Sequence, residues 1–389
     1  MTSAATPVRA EIVVDLGAIR HNVGRLRELV SDPGGESTSP ALMVVVKADG
    51  YGHGMVESAR AARQAGAEWL GVATAEEAVA LRAAGDTGRI LCWLAVPGED
   101  LATAIAADVD VTAHTAAQLD EVVALARGVG RRARVQLKVD TGLSRGGAPR
   151  DTWLSFFEAA RKAEVAGEVA VVGLWSHLAC SDEPDHPAND AQEQAFRDAL
   201  DLAADTGLQP EVRHLANSAG ALLRPSARFD VVRFGIASYG LTPAPDVVSS
   251  EELGLVPAMT VRGSVVLVKD LQPGTGVSYG HRFVAERPTH VALVPMGYGD
   301  GIPRHGSSTA AVQVGGQRAP VLGRICMDQF VVEAPHAQAG DDVVVFGPGR
   351  DGEPTAQDWA EWCDTISYEI VTRMRGRQHR RWVDEEGRA

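Results

Sequence analysis

Between residue 11 and about residue 240 the chain repeats one pattern: a short run of Val, Ile and Leu, then a stretch rich in Ala, Glu and Arg at helical period. Near-continuous apolar strands alternating with helices imply a parallel sheet buried on both faces. Strands read near 42–47, 69–73, 90–95, 109–113, 134–139, 170–175, 211–215 and 231–234, which makes eight. Helical segments at 55–65, 75–84, 115–127, 151–166 and 188–205 separate most of them. A first helix starts behind Asp15 as N-cap, with Leu16, Ile19, Val23, Leu26 and Val30 as its apolar stripe. Eight such units in about 230 residues fit a closed (β/α)8 TIM barrel. The alternative is an open doubly wound sheet, but no glycine-rich phosphate loop opens the first unit.

The pattern changes after Pro243, Pro245 and the stretch Ser249–Glu252. Runs at 261–271, 289–296, 310–315 and 341–346, separated by Gly, Pro and Asp, read as a mostly β second domain with one short helix around Thr355–Cys363. The expected fold class is therefore α/β: an N-terminal barrel over 1–245 followed by a β-rich domain over 246–389. The 37 Lys and Arg against 51 Asp and Glu leave a net charge of −14, a poor match to a nucleic-acid backbone. No stretch of about 18 apolar residues exists to span a membrane, and the start MTSAATPVRAE lacks the apolar core of a secretory signal. Cys92, Cys180, Cys326 and Cys363 lie far apart, which argues against a disulfide framework or a zinc ribbon. These features together read as a cytoplasmic protein.

In a barrel of this kind chemistry belongs at the carboxyl ends of the strands. Those positions hold Lys47, Thr74, His114, Lys138 with Asp140, His177, Asn217 with Ser218, and Arg233 with Gly235. Strand ends are exposed and collect polar residues in any case, so it is the joint set that carries weight. Lys47 follows Met43–Val46, so its amine points into the mouth; a desolvated lysine beside other cations has a lowered pKa and forms Schiff bases. An ordinary lysine snorkelling from a strand end is the plain alternative. Barrel enzymes often bind phosphate at the loops after strands seven and eight, here Ala216–Gly220 and Phe234–Ala237. A lysine on the first strand facing such a cradle suits pyridoxal 5'-phosphate.

Seven motifs carry a resemblance to the alanine racemase family: VVVKADGYGHG (44–54), KVDTGLSRGG (138–147), HLANSAG (214–220), VRFGIASYGL (232–241), VSYG (277–280), GYGDGIPR (297–304) and GRICMDQF (323–330). The resemblance implies pyridoxal 5'-phosphate as cofactor, carried by Lys47. It implies a phosphate and ring-binding set of Tyr51, His177, Asn217, Ser218, Gly235, Ile236 and Tyr368, with Arg233 facing the pyridine nitrogen. Arg145 and the backbone of Met327 resemble the contacts to the substrate carboxylate and a cofactor oxygen. Tyr279 resembles a second catalytic base, reaching the active site of a partner subunit, and Tyr298 a gate residue. The implied protein is a homodimer that interconverts L- and D-alanine and supplies D-alanine for peptidoglycan, with no metal.

The chemistry agrees with that resemblance. Racemisation removes the Cα proton from one face and returns it to the other, and one base on each face does this directly. Lys47 and Tyr279 are different groups in different domains. A free tyrosine titrates near pH ~10, so Tyr279 needs cationic neighbours, with Arg145 and His177 the nearest candidates. A guanidinium does not give up its proton, so Arg233 can only donate to the ring nitrogen, weakening the electron sink and disfavouring transamination. Asp49, Leu143 and Ile302 depart from residues common in relatives, and Lys138 matches a position that several members carry carbamylated.

Other signals are weaker. GPGRDG (347–352) fits a dinucleotide fingerprint literally, but the region about 20 residues on is a cluster of arginines rather than an acid. That cluster (Arg373, Arg375, Arg377, Arg380, Arg381) reads as a solvated face or dimer contact. His177, His186 and His214 lack metal-ligand spacing. Three rivals remain: a racemase of serine or another amino acid, a barrel-type decarboxylase of basic amino acids, and a cofactor carrier without turnover. Arg233 argues against the second and the β domain carrying Tyr279 against the third.

Overall fold

The computed structural model describes residues 8–31 and 39–384; the first seven residues of the stretch considered as a leader lie outside it. The barrel strands are β2 (Ala41–Val45), β3 (Trp69–Val72), β4 (Arg89–Cys92), β5 (Asp110–Ala113), β6 (Ala133–Lys138), β7 (Val169–Trp175), β8 (Val212–His214) and β9 (Val231–Phe234), preceded by β1 (Ala10–Asp15). They run in the order β8-β7-β6-β5-β4-β3-β2-β9, parallel throughout. The seam between β8 and β9 closes through two backbone bonds, Asp230 N–H to Arg213 O at 3.0 Å and Arg233 N–H to Ala216 O at 3.1 Å. All eight expected strands are present. Their residues are almost wholly buried, as a sheet covered on both faces requires.

The first helix, Leu16–Val30, begins where the sequence placed it, because the Asp15 carboxylate accepts from the backbone N–H groups of Gly17 and Ala18. Ile19, Val23, Leu26 and Val30 form its buried stripe. Thr74 is a helix cap: with Glu77 it makes a capping box on Ala75–Ala83.

The second region holds β10 (Met259–Ser264), β11 (Val268–Leu271), β12 (Gly276–Val277), β13 (Phe283–Val284), β14 (Thr289–Val294), β15 (Ala311–Val314), β16 (Gln317–Leu322), β17 (Phe330–Glu333), β18 (Asp342–Phe346) and β19 (His379–Val383). Its main sheet runs β11-β14-β17-β16-β15-β18-β10-β1-β19. Residues 10–15, counted with the barrel in the sequence, thus pair in this sheet, antiparallel to β10 and parallel to β19. Two short helices follow β18, Ala356–Trp362 and Ser367–Arg373, where one was expected. Tyr51, Ile236 and Tyr239 of the barrel mouth pack into the core of this region, so the two cores meet at the mouth. Ile302 is fully buried in that core. No helix among the described residues is long and apolar enough to cross a membrane.

Candidate active site

The carboxyl ends of the barrel strands surround a cavity of about 790 Å³. Ten of the expected site residues line it: Lys47, Tyr51, Arg145, His177, Asn217, Ser218, Arg233, Gly235, Ile236 and Tyr368. Lys138 and His114 join them, whereas Thr74 and Asp140 do not. The Asp140 carboxylate instead accepts from the N–H groups of Gly142 and Ser144, shaping its own loop.

Four cations, Lys47, Lys138, Arg145 and Arg233, face one space. Burial and the Arg145 guanidinium push the Lys47 amine below the usual lysine range, against a smaller opposing pull from Glu77. Burial and the two arginines bring Lys138 down to about 8. Such a cavity favours anions and neutral amines. Two tryptophans missed by the sequence reading temper the repulsion: Lys47 Nζ lies 5.6 Å from the Trp93 ring centre, and Lys138 Nζ 4.4 Å from that of Trp175. Both stand at strand ends, which is the signal that would have found them.

Arg233 is fully buried and held from behind. Its Nη1 donates to His214 Nδ1 at 2.8 Å; its Nη2 donates to the carbonyls of Ser176 and Leu215 and lies 3.2 Å from His177 Nδ1. Nε takes no part in these bonds. Because a guanidinium only donates, His214 must accept at Nδ1 and carry its hydrogen on Nε2, which reaches Gln136 Oε1 at 2.7 Å. The Gln136 amide in turn donates to the buried Asp110 at 3.0 Å. Burial and Arg233 hold His214 well below the ordinary histidine range, so it stays neutral. His177 is lowered likewise by burial and by Arg233, Arg145 and the lysines. Burial lowers Arg233 itself to about 9, which leaves it charged at neutral pH.

Just past the end of the strand that carries Arg233 lies a tight cradle. Gly235 N–H donates to Ser218 Oγ at 2.9 Å, and a Cβ built on Gly235 would come within 2.4 Å of Tyr51 Oη. Only glycine leaves that space open. Asn217 caps the helix Ser218–Leu223 through a bond from Gly220 N–H.

Lys47 sits at the head of a left-handed turn. Ala48, Asp49, Gly50 and Tyr51 have φ of 53°, 56°, 61° and 53°. Three of these are not glycine, which costs on the order of 3–6 kcal/mol in total. Strain of this kind persists only where surrounding contacts over-determine it.

Tyr279 and Met327 are elsewhere. Both belong to the β region and are exposed, 72% and 54%. Tyr279 rides on a wound turn with positive φ at Ser278, Gly280 and His281, pinned by Ser278 Oγ donating to Arg324 O at 2.7 Å. Tyr298 N–H donates to Cys326 O at 3.0 Å and Gly299 N–H to Met327 O at 2.9 Å. Three expected residues thus gather on one open face.

Family models agree with this architecture: the alanine racemase N-terminal domain matches residues 14–243 and the alanine racemase C-terminal domain residues 258–382. The chain belongs to the alanine racemase family. An alanine racemase of Frankia casuarinae is 50% identical over 382 residues, covering 98% of each chain. One of Thermobifida fusca is 51% identical over 367 residues, 94% of this chain and 96% of that one. Among solved structures, alanine racemase from D-cycloserine producing Streptomyces lavendulae superposes with a TM-score of 0.94 at 51% identity, covering 97% of this chain and 98% of that one. The Bacillus anthracis alanine racemase with bound L-Ala-P has a TM-score of 0.87 at 31% identity, covering 98% and 97%.

The dinucleotide-like GPGRDG is a loop in this alanine racemase fold. Glu353 fills its seat, accepting from the N–H groups of Gly349 and Asp351. The C-terminal arginines are largely paired within the chain: Arg373 with Glu369, Arg377 with Asp300 and Asp328, Arg380 with Asp49, and Arg381 with Glu11.

Proposed function

We propose that the protein interconverts L- and D-alanine, with pyridoxal 5'-phosphate held in the barrel cavity by Lys47 and the site completed by the partner subunit's Tyr279. The observation that carries this reading is the cavity: three cations beside Lys47, a lysine of lowered pKa, with a cradle at Gly235 that a Cβ would close. The donor set fits the cofactor, whose phosphate would lie at Tyr51, Ser218, Gly235, Ile236 and Tyr368. Arg233 Nε would meet its ring nitrogen, with His177 and Asn217 lining the same space. When bound, pyridoxal phosphate supplies an electron sink that acidifies the Cα–H of an amino acid joined to it.

The chain's own groups do the rest. Arg233 presents a donor that stays protonated at neutral pH, fixed from behind by neutral His214. Arg145, at the rim, takes the substrate carboxylate, with the backbone of Met327 from the partner. The lowered pKa of the Lys47 amine leaves more of it in the neutral, proton-accepting form than an ordinary lysine has at the same pH. Tyr279 serves the opposite face. Its exposure in a single chain, on a strained and hydrogen-bonded turn, suits a group that works against another copy. The homodimer, a cytoplasmic location and D-alanine destined for peptidoglycan belong to the same reading.

The test is incubation with L-alanine in deuterated water, following Cα deuterium and D-alanine together. Exchange with inversion is expected. Exchange without inversion would remove Tyr279 from its role, and no exchange in cofactor-loaded protein would turn the reading toward a carrier or decarboxylase.

A further inference from the structure

Packing holds only the second half of the left-handed turn behind Lys47, where Gly50 and Tyr51 are buried. Ala48 and Asp49 are exposed, so burial does not fix the first half of the turn. Polar bonds fix it instead. Ala48 N–H donates to Glu77 Oε1 at 2.7 Å, a bond that comes from the barrel itself. Backbone bonds within the turn, Gly50 N–H to Val46 O at 2.9 Å and Gly54 N–H to Asp49 O at 2.8 Å, are joined by two bonds from the opposite end of the chain. Arg380 Nη1 donates to Asp49 Oδ2 at 2.6 Å, while Asp49 Oδ1 accepts from Met55 N–H at 3.0 Å. At the exit of the turn, Trp382 Nε1–H donates to the His53 carbonyl at 2.8 Å.

The fit around these bonds is close. A Cβ on Gly54 would fall 2.8 Å from the Trp382 indole, and one on Gly52 would fall 2.3 Å from Val371 O. Beneath them His53 is fully buried and stacked on Tyr239 at 4.4 Å, its Nδ1 3.0 Å from the carbonyls of Gly50 and Tyr51. Carbonyls only accept, so Nδ1 carries the hydrogen.

We propose that Arg380 and Trp382, carried on β19 of the β region, are positioning residues for Lys47: they hold the left-handed turn Ala48–Tyr51 that aims the amine into the cavity. The proposal rests on Lys47 being the cofactor-bearing lysine. It gives a role to two features the resemblance left aside, the aspartate at position 49 and the C-terminal arginine cluster. An acid there pairs with Arg380 by a charge-assisted bond, stronger than a neutral amide would make. It also explains why β19, polar and at the sheet edge, is paired to β1: that pairing sets Arg380 and Trp382 in register over the turn.

The experiment uses cofactor-loaded holoenzyme of six variants: Arg380→Ala, Arg380→Lys, Trp382→Phe, Asp49→Asn, the double Asp49→Asn/Arg380→Ala, and Arg381→Ala. Arg381 shares the strand but pairs with Glu11 instead of the turn, so its variant reports what loosening β19 alone does. For Arg380→Ala the expected result is kcat lower by about 10- to 100-fold with KM for alanine little changed, as for a misaimed group. Cofactor release on dialysis, read by its visible absorbance, should quicken by about ten-fold, the scale of one hydrogen bond to a charged group. Trp382→Phe should act in the same direction, and Arg380→Lys should restore part of the loss. Asp49→Asn, which keeps the shape, should show a smaller effect, and the double variant Asp49→Asn/Arg380→Ala should add nothing beyond Arg380→Ala.

If Arg380→Ala lowers only the melting temperature, as Arg381→Ala does, with kcat and cofactor release unchanged, the proposal is wrong and the contact is a structural strap. Should Arg380→Ala fail to fold, Asp49→Asn and Trp382→Phe carry the same readouts. Reduction of wild-type holoenzyme with borohydride followed by peptide mapping separates the two claims. A label on a residue other than Lys47 overturns the underlying reading, whereas a label on Lys47 with unaffected variants overturns only the positioning role.

Discussion

The barrel mouth and the open face of the β region are opposite kinds of surface. At the mouth, groups are buried, their pKa values displaced and their orientations fixed by bonds that continue through the barrel from Arg233 to His214, Gln136 and Asp110. On the β face, Tyr279, Tyr298 and Met327 stand in solvent, yet their loops are stitched together and strained. A single chain therefore carries one nearly complete cavity and one ordered set of side chains with nothing to act on. Exposure in the second set does not mean looseness. In the proposed reading it means that each copy presents half a site.

This contrast can be broken at either end. Lys47→Ala should abolish turnover by about 10³-fold or more, since it removes both the cofactor's attachment and one base; residual racemisation near wild type would show that the mouth is not the site. Tyr279→Phe should cost about 10²- to 10⁴-fold in kcat, the range for a lost general acid–base, while cofactor content and melting temperature stay at wild-type values. A fall in cofactor content instead would mean that the β face builds the mouth rather than acting on it.

Smaller effects sharpen the comparison. Gly235→Ala forces a Cβ against Tyr51 Oη; overpacking of about 1–3 kcal/mol is expected, hence about 10- to 100-fold weaker cofactor binding by titration of the apoprotein. Unaltered affinity would remove Gly235 from the phosphate cradle. The cation cluster gives the least effect and a definite sign. The Lys138 ammonium is disfavoured in the folded chain, with a pKa of about 8 against 10.5 for the unperturbed group. Between those values the unfolded chain binds more protons, so this group's contribution to stability rises with pH through that window and is lowest below about 8. Cofactor-free protein should gain melting temperature from this group between pH 8 and 10, and Lys138→Met should flatten that slope.

What could be read in the sequence follows the strength of the local signal. The eight barrel strands were legible because each is an uninterrupted apolar run, and Asp15 marked its helix through an N-cap that needs no tertiary context. β19 was not, because HRRWV has no apolar run and pairs with a strand more than 360 residues earlier in the chain. The same distance hid the bond from Arg380 to Asp49, so the arginine cluster read as a solvated face or dimer contact. In the site, charged residues at strand ends stood out, but Trp93, Trp175 and the buried His214, Gln136 and Asp110 look like ordinary core residues until the barrel closes around them.

The central claim, that each active site joins the mouth of one copy to the β face of another, is tested most directly by mixing two inactive variants, Lys47→Ala and Tyr279→Phe, under conditions that let subunits exchange. In a mixed dimer one site carries both lesions and the other neither. Random exchange of equal amounts makes half the dimers mixed, so activity should recover to about a quarter of wild type. No recovery, with exchange verified by mass-tagged subunits, would place Lys47 and Tyr279 in the same chain's site and contradict the account.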